Sequence, residues 1–166
     1  MIRKCFYSFH YDADNWRVAK IRNIGAIEGN QPAKDNDWES IKRGGNSAIE
    51  QWIRGQMTGR TCTILLIGSQ TANRKWINHE IVESWNKGLG VVGIYIHGIT
   101  DRNGTITSKG NNPFDFITHG PSKKKLSTLV KCYDPGGSSS SERYLWISKH
   151  LSNAVEEAIE IRRKNL

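Results

Sequence analysis

The chain alternates uninterrupted apolar runs with segments whose apolar residues recur every three or four positions. Two runs, TCTILLI (Thr61 to Ile67) and VVGIYIH (Val91 to His97), are continuously apolar and rich in β-branched side chains. Central parallel strands, covered on both faces, have this pattern. KCFYSFH (Lys4 to His10) has the aromatic enrichment of a further strand. The intervening segments read as helices. DADNWRVAKIRNI opens with Asp12 and Asp14 as candidate caps, and NSAIEQWIRGQM pairs Ser47 with Glu50 at capping-box spacing while lining Ala48, Ile49, Trp52, Ile53 and Met57 along one face. A helix from about Trp76 to Lys87 ends at Gly88 and turns Ile77, Ile81 and Trp85 toward the sheet. A closing helix, about 143–164, spaces Leu151, Ala154, Val155, Ala158 and Ile159 helically and pairs Glu160 with Lys164.

The connections are uneven. Gly25 to about Gly45 reads as a polar stretch of roughly twenty residues, long for a compact domain and therefore functional or mobile. After His97 the chain is irregular as far as Lys125, then gives a short strand-like LSTLVKCYD and a flexible turn, PGGSSSS. No internal repeat is visible. Alternation of strands and helices predicts one α/β domain spanning residues 1–166, with a flavodoxin-like central parallel sheet and helices on both faces.

Such sheets bind ligands at the carboxyl ends of their strands, where the connections diverge. That rule selects Ser8, Phe9 and His10 after the first strand and Ser69 after the strand ending at Ile67. Trp76 and Glu80 stack one turn apart at the start of the following helix, on the same edge. Glu83 has a sufficient explanation as an ion-pair partner of Lys87. Glu80 has no partner four residues on, and spacing alone leaves it open between a ligand-facing carboxylate and a first-turn glutamate that favours the helix dipole. Phe9 reads equally as core, His10 as a strand-end hydrogen-bonding residue and Trp76 as a helix-start packing residue.

Composition narrows the classes. At 166 residues and 37% hydrophobic content the chain suits one domain of ordinary size. It carries no apolar run long enough to cross a bilayer and no signal-peptide core at its start, so the expected compartment is the cytoplasm, without a membrane partner. Three cysteines, Cys5, Cys62 and Cys132, lie in or beside strand-like runs and read as reduced thiols, with no metal site. The net charge of +8 favours polyanionic ligands. The basic residues are scattered apart from Lys123 to Lys125 and Arg162 to Lys164, which argues against nucleic acid as the partner.

Three stretches carry a family resemblance. LLIGSQTANRKWINHEI resembles the TIR-domain box in which a strand ending in serine leads to Trp-x-x-x-Glu, matched here by Ser69, Trp76 and Glu80. CFYSFHYDAD resembles the first TIR box. FYSFHY, LIGSQTANRKW and SKGNNPFDF together resemble the TIR-like proteins of the DUF1863 type, in particular the TIR-like component of the bacterial Thoeris antiphage defence system. The resemblance covers most of Met1 to Phe116. The proline-glycine loop motif of animal and plant TIR domains is not visible, although DWES (Asp37 to Ser40) resembles a Trp-Glu element of the subgroup and makes Trp38 a candidate binding residue.

The resemblance implies cleavage of the nicotinamide glycosidic bond of NAD, as substrate rather than cofactor, with Glu80 as the essential carboxylate. Phe9 or Trp76 would stack on a flat ring or wall the pocket, Ser8, His10 and Ser69 would hydrogen-bond ribose or diphosphate, nearby basic residues would offset the two phosphate charges, and Trp38 would join the substrate-binding set. It further implies an ADP-ribose-derived nucleotide, cyclic or conjugated, that switches on a separate effector protein after a phage-derived trigger; a homo-oligomer stays open. The competing class is a non-catalytic TIR-type interaction scaffold, which has no chemical need of Glu80.

Overall fold

A computed structural model describes residues 2–30 and 40–165. Five strands form one parallel sheet: β1 (Arg3–Ser8), β2 (Ile27–Gly29), β3 (Cys62–Ile67), β4 (Gly90–Tyr95) and β7 (Cys132–Tyr133), in the order β2-β1-β3-β4-β7. This is the expected flavodoxin-like arrangement. Every side chain of β3 and β4 is buried, which is why both read as unbroken apolar runs.

Helices cover both faces. On one side α1 (Tyr11–Arg22) and α4 (Ser140–Lys164) pack Val18, Ile21, Ile147, Leu151 and Val155 against Cys5, Cys62, Ile64 and Leu66. On the other, α3 (Lys75–Asn86) packs Ile77, Ile81 and Trp85 against Leu65 and Ile67. There α2 (Gly45–Met57) covers Phe6 with Ile49, Ile53 and Met57. The stop at Gly88 is physical: its φ of 83° is left-handed backbone that a side chain would strain.

Several local expectations change. The polar stretch after Gly25 contains strand β2, whose three residues are too few to show a period. Gly29 is required there, since a Cβ would stand 2.4 Å from the Tyr7 ring. Helix α2 begins at Gly45 with Gly44 as its cap, so Ser47 and Glu50 lie inside it and form no capping box. Helix α1 is capped by the His10 backbone, and Asp14 is buried against Arg17 at 3.2 Å instead of capping. Glu83 pairs with Arg54 of α2 at 3.2 Å rather than with Lys87. LSTLVKCYD becomes a 3-10 turn (Leu126–Thr128) followed by the two residues of β7. The segment before it carries a small antiparallel pair, β5 (Thr118–His119) with β6 (Lys124–Lys125). The three cysteines are free thiols, and among the described residues no helix is long and apolar enough to cross a membrane.

Two contacts fix the loops at the carboxyl edge. Arg17, 2% exposed, donates to the carbonyls of Ile99 (2.7 Å) and Thr105 (2.9 Å), binding the post-β4 loop to α1. Further along that loop Gly110 packs on the turn after β3, where an added Cβ would lie 2.3 Å from the Gly68 carbonyl oxygen. Neither backbone can retreat freely, because a Cβ on Gly68 would in turn meet the Asp14 carboxylate. Gly110→Ala should therefore cost about 1–3 kcal/mol of stability by overpacking, read by urea denaturation. An unchanged midpoint would show that this contact is loose.

Candidate active site

A cleft of ≈ 540 Å³ opens where the carboxyl ends of β1 and β2 meet the start of α3, a size typical of small-molecule sites. It lies beside the place where the strand order reverses, since β2 and β3 flank β1 on opposite sides and their following connections part there. One wall, on the α1 side, carries Tyr7, Phe9, Arg22 and Asn30; the other carries Trp52, Ile53, Trp76 and Glu80 from α2 and α3. Arg74 and Lys75 form an exposed basic rim.

Glu80 reaches the cleft because Ile77, Ile81 and Trp85 commit the neighbouring stripe of α3 to the sheet, leaving Trp76 and Glu80 on its border. The residue keeps part of its surface toward the cleft. Burial pushes its carboxyl pKa up from 4.5 to about 8, opposed by the weaker effect of the Ser8 hydroxyl. No cation among the described residues contributes. The Ser8 Oγ is buried without a hydrogen bond of full geometry, yet it faces the Glu80 carboxyl closely enough to favour the ionised form. At neutral pH the resting site thus holds a mostly protonated carboxyl that a nearby positive charge would ionise.

The remaining expected residues divide. Phe9 and His10 line the cleft beside Trp76, all three half-buried. Burial and the nearby Arg74 lower the His10 pKa, so its imidazole is neutral at pH 7. The Lys75 ammonium sits 4.9 Å over the Trp76 ring, covering one of its faces. Ser8, 1% exposed, lies behind Glu80 rather than open to a ligand. Ser69 is not among the lining residues: it sits in the turn packed by Gly110, so the strand-end rule placed it on the right edge but not in the cleft. Trp38 falls outside the described residues.

Sequence reasoning missed Arg22, Asn30 and Thr71. Thr71, fully buried, shapes the turn after β3 by accepting a 2.8 Å hydrogen bond from the Gly68 N–H. Asn30 accepts from the Tyr7 N–H at 2.8 Å and fixes the end of β2 beside β1. Its signal was hidden with β2 itself. Arg22 reads in sequence as a basic residue in the last turn of a helix.

Comparison with known proteins agrees with this picture. The family model of the Thoeris protein ThsB, TIR-like domain, matches residues 6–101, the part of the chain that builds the cleft. A protein of Bacillus cereus (strain MSX-D12), ThsB1, assigned provisionally by its name as a cyclic ADP-D-ribose synthase, is 39% identical over 122 residues. That match covers 70% of this chain and 64% of the relative's length.

The Glu80 pKa has a consequence for stability. The folded pKa lies above the unfolded value, so the folded state retains a proton that the unfolded state releases, and stability falls as pH rises from about 4.5 through about 8. Glu80→Gln removes this penalty. We expect the variant's melting temperature to exceed that of the wild type by about 10 °C at pH 9, with a much smaller difference at pH 5. A pH-independent difference would place an ordinary, solvated carboxylate there.

Proposed function

The chain belongs to the TIR-like domain family of the Thoeris protein ThsB, and on that premise we propose that it cleaves the nicotinamide glycosidic bond of NAD and converts the ADP-ribose part into a signalling nucleotide. The observation that carries the reading is Glu80: a desolvated carboxyl with no counter-ion among the described residues, set in an aromatic-walled cleft at the sheet's carboxyl edge.

The chemistry follows from charge. NAD brings a pyridinium cation, and as it enters the cleft its positive charge lowers the Glu80 pKa and drives the proton to solvent. Nicotinamide leaves as a neutral base and needs no proton. The electron pair of the C–N bond departs with it, and positive charge develops on the ribose as an oxocarbenium-like centre. An ionised Glu80 stabilises that charge most strongly in the transition state, where little water competes. The aromatic walls of Phe9 and Trp76 exclude water and offer flat surfaces to a ring, and the neutral His10 can accept a hydroxyl proton. Attack by water gives ADP-ribose; attack by a group within the same nucleotide gives a cyclic product.

The naming of the Bacillus relative as a cyclic ADP-D-ribose synthase supports the cyclic outcome. In a Thoeris setting the nucleotide would act on a separate effector protein, and a phage-derived signal would raise turnover above the basal rate of the purified protein.

The test is nicotinamide release from NAD by purified protein, followed by chromatography. Glu80→Gln should abolish release while circular dichroism shows the fold retained. For the wild type, kcat/KM should climb about tenfold per pH unit below pH 7 and level off above about pH 8, following ionisation of the free-enzyme carboxyl. Full activity in Glu80→Gln would remove the proposed role.

A further inference from the structure

Among the described residues Arg22 has no carboxylate to answer its charge. It sits half-buried on the α1 wall of the cleft, with its guanidinium carbon 5.2 Å from the Tyr7 ring centre and 5.7 Å from that of Phe9. One of its N–H groups donates to the Asn30 carbonyl. Among the described residues no carboxylate pairs with it. Arg17, buried on the same helix, shows what a fold-serving arginine looks like, with Asp14, Asp101 and two loop carbonyls around it. Burial and the neighbouring Arg60 both disfavour the charged form of Arg22, and only Tyr7 opposes them.

A guanidinium offers five N–H donors in a rigid plane, and here it lies against the Tyr7 and Phe9 rings on the α1 wall. With one donor used by Asn30, the fork remains available to a ligand. An anion would complete it with paired, charge-assisted hydrogen bonds and relieve the cost of holding away from water a cation that no carboxylate among the described residues pairs. Glu80 does not fill this role. It comes from α3 on the opposite face of the sheet, and neither residue's ionisation registers the other. The cleft therefore holds its arginine and its carboxyl on separate walls, each free to meet a different part of one ligand.

We infer that Arg22 is the anion-binding residue of the cleft, gripping the diphosphate of the dinucleotide against the α1 wall so that the nicotinamide ribose falls to Glu80. The assignment rests on the NAD reading above for the identity of the ligand. It makes Arg22 a determinant of substrate class: dinucleotides and nucleoside diphosphates bind through it, and nicotinamide riboside, which lacks phosphate, does not need it.

Isothermal titration in a Glu80→Gln background, where turnover is removed, tests this with ADP-ribose, inorganic pyrophosphate and nicotinamide riboside. Adding Arg22→Gln should weaken ADP-ribose and pyrophosphate about tenfold or more and leave nicotinamide riboside within about twofold, as loss of a charge-assisted contact predicts. Arg22→Lys, which keeps the charge but not the fork, should fall between and keeps the test usable if the glutamine variant folds poorly. Equal weakening of all three ligands would reduce Arg22 to a prop for Tyr7 and Phe9 and overturn the inference. No weakening, or no ADP-ribose binding by the parent protein, would overturn it as well. Nicotinamide release by the wild type separates the two readings. Release without any role for Arg22 in ADP-ribose binding removes only the present inference. Arg22-dependent ADP-ribose binding without release leaves it standing and removes the Glu80 chemistry.

Discussion

Parallel pairing of β1 with β2 on one side and β3 on the other is the constraint from which the site follows. Because all strands point the same way, every connection leaves from the same edge, and at β1 the connections depart toward opposite faces of the sheet. The gap between them cannot be filled by sheet. It is walled instead by α1 on one face and by α2 and α3 on the other, which is how an arginine at the end of α1 and a glutamate in the second turn of α3 come to share one cleft. Burial then does the electrostatic work. The same apolar packing that seats Ile77 and Ile81 removes water from Glu80, and no cation among the described residues compensates.

The loops around the edge are held from below. Asp14 and Arg17 of α1 form a buried polar knot that reaches the post-β4 loop, while Gly68 and Gly110 allow two backbones to approach where side chains could not fit. This explains why the stretch SKGNNPFDF accompanies the strand-end boxes although it contributes no residue to the cleft lining. Its glycine lets the loop close over the turn that launches α3, and Asn112 caps the short 3-10 turn Pro113–Phe116 that follows by accepting from the Phe114 N–H. The resemblance to TIR-like proteins is thus carried by scaffold and chemistry together.

The central strands and α3 were legible because their burial is complete and periodic: TCTILLI and VVGIYIH admit few other readings, and Gly88 marks a helix end that requires positive φ. Glu80 was legible as a residue without a local partner. What escaped was set by long-range contact. Strand β2 is three residues whose middle one, Glu28, is exposed, so no apolar pattern announces it. Asp14 has the spacing of a cap but lies under Gly68, and Glu83, matched to Lys87 by spacing, pairs instead with Arg54 on another helix. Arg22 is informative only once β2 has brought Asn30 beside it. Ser69 was on the correct edge, yet the turn fixed by Thr71 keeps it out of the cleft lining.

The account stands on Glu80 acting on NAD in the setting where the protein works. Mass spectrometry of small molecules from phage-infected cells, expressing either the wild type or Glu80→Gln, addresses this directly. A new ADP-ribose-derived species should appear with the wild type and be absent with the variant. No such species in either, together with undiminished protection by the variant alongside its partner genes, would contradict it and leave a protein that works by contact alone.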